Sequence, residues 1–400
     1  MAIEFRKTAD EDEVVEAFRT IMVAFGEDVE ERDVERARKT MPADRVHVAV
    51  DDGKFVGVAA AYEFALTIPG GEVPAAGVTW VAVLPTHRRQ GVATGLMRHQ
   101  FDEFRERGEP LAILWSAEAP IYGRFGYGIA APVHDMNAQK AGFAFRDDPG
   151  LVGATRLVTR DEATELFPPV YERVRTTRPG MLSRSTVHWY EERLYDGPGP
   201  PGTSPRFFVV FELDGVPEGY ATYRPRDKWD DGIPNGAVFV VEALGASLVA
   251  TREIWRYLFG IDLRERVECH YLDPALTLYL GVLDPRRLRL KLSDGLWLRF
   301  VDLEAALRAR AWGADDSLVL EVRDTFCPWN DGRYRTDGTK SDADADLVLT
   351  AADLASAYLG GIDVSALAAA GRVAEQTPGA VARAAAMFRT PLPPFCPEVF

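Results

Sequence analysis

One stretch of the chain, residues 77–128, combines positions that suit an anion with side chains that can donate a proton. It contains an apolar run that ends at Pro85, a basic and glycine-containing segment at 88–93, and a segment rich in tyrosine and glycine at 121–128. Arginine guanidinium groups match the geometry of phosphate oxygens, and tyrosine hydroxyls can act as general acids. The stretch therefore predicts a site for a phosphate-bearing ligand next to a proton donor.

A strand followed by a helix must position these groups. Residues 77–84 have the β-branched, apolar character of a strand, which Pro85 ends, and Gly108 stands where the following helix should finish. Apolar residues recur at helical spacing at Ala93, Leu96, Met97, Phe101 and Phe104. The first N–H groups of a helix have no internal partner and lie at the positive end of its dipole. A pyrophosphate held by backbone amides is one interpretation, and a tight turn with solvated arginines is the other.

The segment Arg88-Arg89-Gln90-Gly91-Val92-Ala93 resembles the acyl-CoA signature of Gcn5-related N-acetyltransferases. Together with Ile121-Tyr122-Gly123-Arg124-Phe125-Gly126-Tyr127-Gly128, it resembles the enhanced intracellular survival (Eis) family of multi-acetylating N-acetyltransferases. The resemblance covers essentially the whole chain and is weakest in the middle third. It implies an enzyme that uses acetyl-CoA to acetylate primary amines of the aminoglycoside, polyamine or lysine type, by direct transfer in a ternary complex.

The resemblance also assigns the cofactor site. In the family, the pantetheine pairs with the strand at 81–83 like an added strand, and the basic turn covers the pyrophosphate. The residues expected to bind acetyl-CoA are Val81, Ala82, Val83, Arg88, Arg89, Gln90, Gly91, Val92, Ala93, Thr94, Ala117 and Glu118. No metal ion is expected, because no cluster with the spacing of a metal site is found in the sequence.

Two residues are expected to be catalytic. Tyr122 follows the strand that ends near Trp115, and by resemblance it donates the proton to the CoA sulfur; Tyr127 is the competing candidate. The chain ends in a proline-rich, apolar segment, so Phe400 should carry its own α-carboxylate into a desolvated place. By resemblance this carboxylate is the general base that takes the proton of the substrate ammonium.

Each catalytic assignment has an alternative. Either tyrosine is also explained as a half-buried aromatic with a satisfied hydroxyl, and the C-terminus as a segment docked only for stability. Glu398 is the rival carboxylate. Among the histidines, His87 is expected at the surface near the basic turn and His99 is expected to face solvent, while His134 and His188 have no partner that the sequence identifies.

Composition limits the function classes. The chain has 400 residues, a net charge of −15 and 47% apolar residues, which suggests two or three domains and an acidic protein compatible with cationic substrates. The acidic balance disfavours nucleic acid as a partner. The three cysteines suit reduced thiols, and no signal peptide or membrane-spanning run is found, so we expect a cytoplasmic enzyme without membrane insertion.

The pattern of elements predicts an α/β protein with mixed sheets. Residues 1–146 are predicted to form the N-terminal acetyltransferase domain that binds acetyl-CoA. Residues 147–288 repeat its pattern, with a hairpin at 207–223, a strand at 237–243 and a helix at 247–259, but without the basic turn. The prediction is a second, degenerate acetyltransferase fold.

Residues 289–400 differ, with a strand at 296–301, a helix at 303–311 capped by Asp302, further strands at 317–322 and 345–349, and an alanine-rich helical end. By resemblance this part is sterol carrier protein-like, and the assembly is a homo-oligomer, a hexamer in the family. The alternative function is a non-catalytic, acyl-CoA-binding regulatory protein that keeps the fold without turnover.

Overall fold

The computed structural model describes residues 3–400, which divide into two compact units. The first contains residues 3–131, 296–391 and 399–400, and the second contains 132–295 and 392–398. The strands are β1 (Glu4–Lys7), β2 (Val46–Asp51), β3 (Lys54–Ile68), β4 (Gly71–Val83), β5 (Leu111–Trp115), β6 (Gly128–Gln139), β7 (Ala154–Val158), β8 (Phe207–Leu213), β9 (Val216–Arg226), β10 (Trp229–Asp230), β11 (Ile233–Pro234), β12 (Gly236–Gly245), β13 (Arg264–Leu272), β14 (Lys291–Phe300), β15 (Val319–Arg323), β16 (Gly332–Arg335), β17 (Leu347–Thr350) and β18 (Val373–Glu375).

The helices are α1 (Glu11–Phe25), α2 (Glu31–Thr40), α3 (Val92–Glu106), α4 (Ala119–Tyr122), α5 (Arg160–Arg175), α6 (Thr186–His188), α7 (Leu248–Gly260), α8 (Thr277–Gly281), α9 (Leu303–Ala309), α10 (Ala351–Tyr358), α11 (Val364–Ala369) and α12 (Ala380–Phe388). No helix among residues 3–400 is long and apolar enough to cross a membrane.

The main sheet of the first unit runs β1-β2-β3-β4-β5-β14. The predicted hairpin between β2 and β3 is confirmed, with Asp52 and Gly53 both at positive φ. Helix α1 covers one face, where Val14 and Ile21 lie in the same core as Val58, and α3 covers the other, where Leu96 packs with Val56. The sheet between these helices positions the end of β4 and the start of α3.

A smaller sheet in the same unit runs β16-β15-β17-β18 and carries helices α9 to α12. Asp302 caps α9 as predicted, accepting a hydrogen bond from the backbone N–H of Ala305. The predicted helix is two residues too long, because α9 ends at Ala309. The next residue, Arg310, is extended, and its buried guanidinium donates to the carbonyls of Tyr358 (2.8 Å) and Phe388 (2.7 Å).

The second unit repeats the strand pattern of the first. Its sheet runs β6-β13-β12-β9-β8-β7, with β12 and β13 parallel and joined through α7. The predicted hairpin of β8 and β9 turns at Asp214 and Gly215, both at positive φ. The faces of β9, β12 and α7 share one apolar core that includes Tyr223, Val238 and Ile254.

Candidate active site

Strands β4 and β5 separate after a short parallel contact. They pair only from Ala75 to Gly77, whereas β4 stays paired with β3 through Val83. The register of β3 and β4 shifts near Trp80, whose φ of +56° is unusual for a bulky residue and marks a bulge. In the part of the chain that the structure describes, the β5-facing edge of residues 78–83 therefore has no strand beside it. Its backbone donors and acceptors can pair with an extended ligand.

The turn between β4 and α3 leaves the helix N-terminus open. After a single 3-10 turn at Pro85–His87, the backbone takes positive φ at Arg89 (+62°) and Gly91 (+84°), and α3 begins at Val92. Gly91 provides no side-chain cap, and a Cβ atom built there would have no atom within 4 Å. The first amides of α3, from Val92 to Thr94, thus point into open space at the positive end of the helix dipole, as an anion site requires.

The two arginines of this turn differ in their contacts. The Arg88 guanidinium donates to the carbonyls of Val83 (3.4 Å) and Ala24 (3.3 Å), so it ties the turn to the end of α1. Gln90 similarly donates to the carbonyl of Thr86 (3.1 Å). Arg89 is exposed and makes no side-chain hydrogen bond or ion pair within residues 3–400. Its guanidinium is the one of the two that is free to meet a phosphate.

Tyr122 ends the short helix α4 and is half-buried, beside Ala117 and Glu118, which are exposed. Its hydroxyl makes no hydrogen bond to any described residue. Burial, and to a lesser degree the charge of Glu118, raises the pKa of Tyr122, which keeps the phenol protonated and available as a donor. This side chain has the exposure and the protonation state that a general acid needs.

Tyr127 differs from Tyr122 in access. It is 1% exposed, its hydroxyl is buried without a hydrogen-bond partner among the described residues, and burial raises its pKa well above the ordinary value. The Tyr127 ring packs edge-on against Tyr122, with 5.9 Å between centroids, and contacts the tilted ring of Phe101 at 6.1 Å. A hydroxyl sealed in this way cannot reach a ligand, so the geometry favours Tyr122 as the donor.

Phe400 lies where β4 and β5 begin to separate. Its ring centroid is 5.1 Å from that of Phe64 and 6.4 Å from that of Tyr62. A Cβ atom built on Gly77, the last residue of β4 that pairs with β5, would lie 3.2 Å from the Phe400 ring. Phe400 is therefore docked at the sheet opening beside the strand that the sequence predicts to bind the cofactor.

Glu398 has a different environment in the second unit. It is fully buried, accepts a hydrogen bond from Arg184, and lies 3.4 Å from Arg193 Nε and 3.2 Å from His188 Nε2. Burial alone would raise its pKa, but Arg184 and Arg193 outweigh burial and hold the pKa of Glu398 well below its usual range. A carboxylate fixed in this way is a poor proton acceptor, which favours Phe400 over Glu398 as the base.

The histidine expectations are partly wrong. His99 does not face solvent: its Nδ1 lies 2.7 Å from Nδ1 of His47, which is 1% exposed and whose Nε2 lies 2.6 Å from Glu103. The sequence does not reveal this cluster, because β2 and α3 are far apart in the chain. His87, expected at the surface near the basic turn, is half-buried and pairs with Asp51 at 3.3 Å.

Within residues 3–400, no group of three His, Cys, Asp or Glu side chains is arranged to hold a metal ion. A cleft of about 770 Å³ lies beside the tyrosine segment, lined by Arg124, Tyr127, Trp297, Arg323 and Arg372 among others. It does not include the turn at 88–93. The open N-terminus of α3 and this cleft are therefore separate features of the first unit.

Comparisons with known proteins identify three domains in the chain. An acetyltransferase (GNAT) domain model matches residues 5–130, a second acetyltransferase (GNAT) domain model matches 180–299, and a sterol carrier protein domain model matches 303–397. The fold class predicted from the sequence, two acetyltransferase folds followed by a sterol carrier-like domain, is confirmed.

Relatives span nearly the whole chain. An uncharacterized N-acetyltransferase of Streptomyces avermitilis is 38% identical over 396 residues, which is 96% of each chain. N-acetyltransferase Eis of Mycobacterium tuberculosis is 35% identical over 375 residues, 89% of each chain. The crystal structure of Eis1 from Mycobacterium abscessus is 31% identical, with a TM-score of 0.88 over 99% of this chain and 100% of that one.

Proposed function

Because this chain belongs to the Eis family of N-acetyltransferases, we propose that it transfers the acetyl group of acetyl-CoA directly to a primary amine. The observation that carries the proposal is the combination of two features that one turn connects: the edge of β4 at 81–83, which does not pair with β5, and the uncapped N-terminus of α3. An acyl-pantetheine chain can pair with the strand edge, and a pyrophosphate can bind the free amides of the helix N-terminus.

We propose that the cofactor lies with its pantetheine along Val81–Val83 and its pyrophosphate at the amides of 91–94, with Arg89 supplying the guanidinium. Arg88 and Gln90 support the turn through their carbonyl contacts, and Ala117 and Glu118 flank the thioester end. The backbone N–H groups of β4 are then the donors for the carbonyl oxygen, which becomes negatively charged as the amine attacks.

In the proposed mechanism the substrate ammonium first gives up a proton, and the terminal carboxylate of Phe400 receives it. The amine nitrogen attacks the thioester carbon, and the tetrahedral species collapses as the C–S bond breaks. Tyr122 donates its proton to the departing thiolate, and its phenolate then takes up the second proton that the nitrogen loses as the amide forms. No covalent enzyme intermediate forms, so both substrates must be bound together.

The proposed amine class is cationic: aminoglycosides, polyamines or lysine side chains. The net charge of −15 and a carboxylate at the site favour substrates with several ammonium groups. We also propose the division 1–146, 147–288 and 289–400, a cytoplasmic location and a homo-oligomer with the hexamer as the expected form. Sedimentation of the purified chain tests the last point.

The test follows free thiol release from acetyl-CoA with a polyamine and, separately, an aminoglycoside. We expect amine-dependent release by the wild-type chain. Two added glycines after Phe400 should abolish it, because they move the carboxylate away, while acetyl-CoA affinity measured by calorimetry stays normal. The same residues added at the N-terminus are the control.

The outcomes separate the alternatives. Tight acetyl-CoA binding without release with any amine would favour the non-catalytic binding protein. Full activity of the extended chain would remove Phe400 from the mechanism but leave the transferase intact.

A further inference from the structure

A buried ion pair lies directly beneath the Tyr122 segment. Arg299, on β14, is 0% exposed, and its Nη2 donates to Asp324 Oδ1 at 2.8 Å while Nη1 lies 2.6 Å from Oδ2. Asp324 follows β15 and is 4% exposed. Burial would lower the pKa of Arg299, but Cys327 and Asp324 hold it above the ordinary value, so the guanidinium stays charged.

The guanidinium of this pair fills the space left by a glycine in the catalytic turn. Gly126 has φ of +84°, and a Cβ atom built on it would lie 2.8 Å from Arg299 Cζ. The turn itself starts at Tyr122, because the N–H of Tyr127 donates to the carbonyl of Tyr122 (3.3 Å) and that of Gly126 to Gly123 (3.0 Å). Arg299 thus supports the backbone that presents the Tyr122 hydroxyl.

Asp324 also fixes the aromatic side of the same turn. Its Oδ1 accepts hydrogen bonds from the N–H groups of Phe326 (3.1 Å) and Cys327 (2.9 Å). The Phe326 ring packs edge-on against Phe125 of the turn, at 5.1 Å between centroids, and against Phe101 at 5.7 Å. One carboxylate therefore holds both the cation under the turn and the ring beside it.

We propose that Asp324 and Arg299 are positioning residues for Tyr122, so that the sterol carrier-like segment supplies part of the geometry of proton donation. The inference rests on the proposed role of Tyr122 as general acid. Arg299 is 0% exposed and Asp324 is 4% exposed, and we infer that both act on the turn at 122–127. Without the Asp324 charge, the buried guanidinium is uncompensated and is drawn toward water, and the turn that lies on it must shift.

A small shift is sufficient to reduce catalysis. A displacement of about 1 Å in a catalytic group can lower the rate by about 100-fold. The amides that are proposed to bind the cofactor lie on other elements, β4 and α3, so the same shift should not change acetyl-CoA binding. The expected signature is a fall in kcat with an unchanged Michaelis constant for acetyl-CoA. General destabilisation of the unit would not produce this separation.

The experiment compares Asp324→Asn with Asp316→Asn. Asp316 forms a similar two-bond pair with Arg383, both at 2.7 Å, but is exposed. For Asp324→Asn we expect kcat to fall by about 10-fold to 100-fold with acetyl-CoA affinity retained, and for Asp316→Asn we expect wild-type kinetics. In a Tyr122→Phe background, Asp324→Asn should lower kcat no further, because the group that it positions is already absent.

A second variant keeps the proposal testable if Asp324→Asn does not fold. Gly126→Ala pushes on the guanidinium and should show the same loss of kcat. Gly108→Ala is its control, because Gly108 also has positive φ (+71°) but a Cβ atom built on it would have no atom within 4 Å. This comparison separates backbone strain from displacement of Arg299.

Three results would overturn the inference: normal kcat in Asp324→Asn, a parallel loss of acetyl-CoA affinity, or a full additional loss in the Tyr122→Phe background. If Tyr122→Phe is impaired and Asp324→Asn is normal, only this inference fails. If Tyr122→Phe is fully active, the proposed acid role of Tyr122 fails first, and the inference fails with it.

Discussion

The two acetyltransferase folds of this chain differ most at the junction of their central strand and the following helix. In the first, residues 84–91 join β4 to α3, and in the second only residues 246–247 join β12 to α7. The first helix starts at Gly91 with no side-chain cap and open space around it. The second starts at Ser247, whose hydroxyl accepts a hydrogen bond from the N–H of Ala250 (3.1 Å).

The second junction also has no room for a ligand. A Cβ atom on Gly245 would lie 2.3 Å from the backbone nitrogen of Thr251, so α7 packs directly on the end of β12. The strands themselves are similar in the two folds. Strand β12 pairs with β13 only from Gly236 to Val240, and the rest of β12 does not pair with β13, just as the end of β4 does not pair with β5. Since both folds have a sheet opening, the proposed pyrophosphate site depends on the longer turn and the free helix amides of the first fold.

The strongest test of this contrast removes the proposed proton donor of the first fold. Tyr122→Phe keeps the ring and should lower kcat by about 10²–10⁴-fold, the usual contribution of a general acid, while acetyl-CoA affinity stays the same. Steady-state kinetics with a polyamine measure the effect. Tyr127→Phe is the matched control and should be close to wild type; the reverse pattern would mean that Tyr127 is the acid.

A change in the second unit should act on stability and leave cofactor binding intact. Glu398→Gln breaks a buried charge cluster with Arg184 and Arg193, and removing one partner of a buried pair costs about 3–5 kcal/mol. The urea unfolding midpoint measures this loss. Glu218→Gln, which affects a more exposed pair with Arg173, should change the midpoint little. Loss of acetyl-CoA binding by folded Glu398→Gln protein would contradict the division of roles.

Gly91→Val tests the helix N-terminus of the first fold. A β-branched residue at φ of +84° is strained by about 1–3 kcal/mol, and its side chain occupies the space that a phosphate needs. We expect the Michaelis constant for acetyl-CoA to rise by about 10-fold to 100-fold with the fold retained. Gly108→Val places the same strain at the other end of α3; equal effects of both variants on acetyl-CoA would contradict the anion site.

The smallest expected effect comes from the cap of the second fold. Ser247→Ala removes the hydroxyl that caps α7 and should lower the free energy of unfolding by about 1 kcal/mol. Freeing that amide should not create a second cofactor site, because the junction remains too short. Calorimetry should give one acetyl-CoA per chain before and after the substitution. A second binding event of similar affinity would show that the Ser247 cap alone prevents the second fold from binding acetyl-CoA.

Local patterns predicted the fold well because the signals lie close together in the sequence. Turn residues such as Asp52-Gly53 and Asp214-Gly215 specify hairpins through positive φ, and Asp302 specifies a helix start through its carboxylate. The strand at 296–301 was also predicted, but not its pairing with β5. Pairing partners depend on residues far away in the chain, which periodicity does not encode.

The site was predicted less completely, for the same reason. The bulge at Trp80 lies inside an apolar run that looks like a continuous strand. The different roles of Arg88 and Arg89 depend on carbonyls at the end of α1 and on one residue with positive φ. The burial of Glu398 among arginines and the Arg299–Asp324 pair likewise join residues that are distant in sequence.

The contact between His47 and His99 makes the stability of the first unit sensitive to acid. Two Nδ1 atoms 2.7 Å apart can share only one proton, so both rings cannot carry a proton at Nδ1 without losing this contact. Burial lowers the pKa of His47 in the folded chain, whereas in the unfolded chain it titrates near its ordinary value of about 6.5. Below about pH 6.5 the unfolded chain therefore binds more protons than the folded one, and the free energy of unfolding falls as the pH decreases toward the folded pKa.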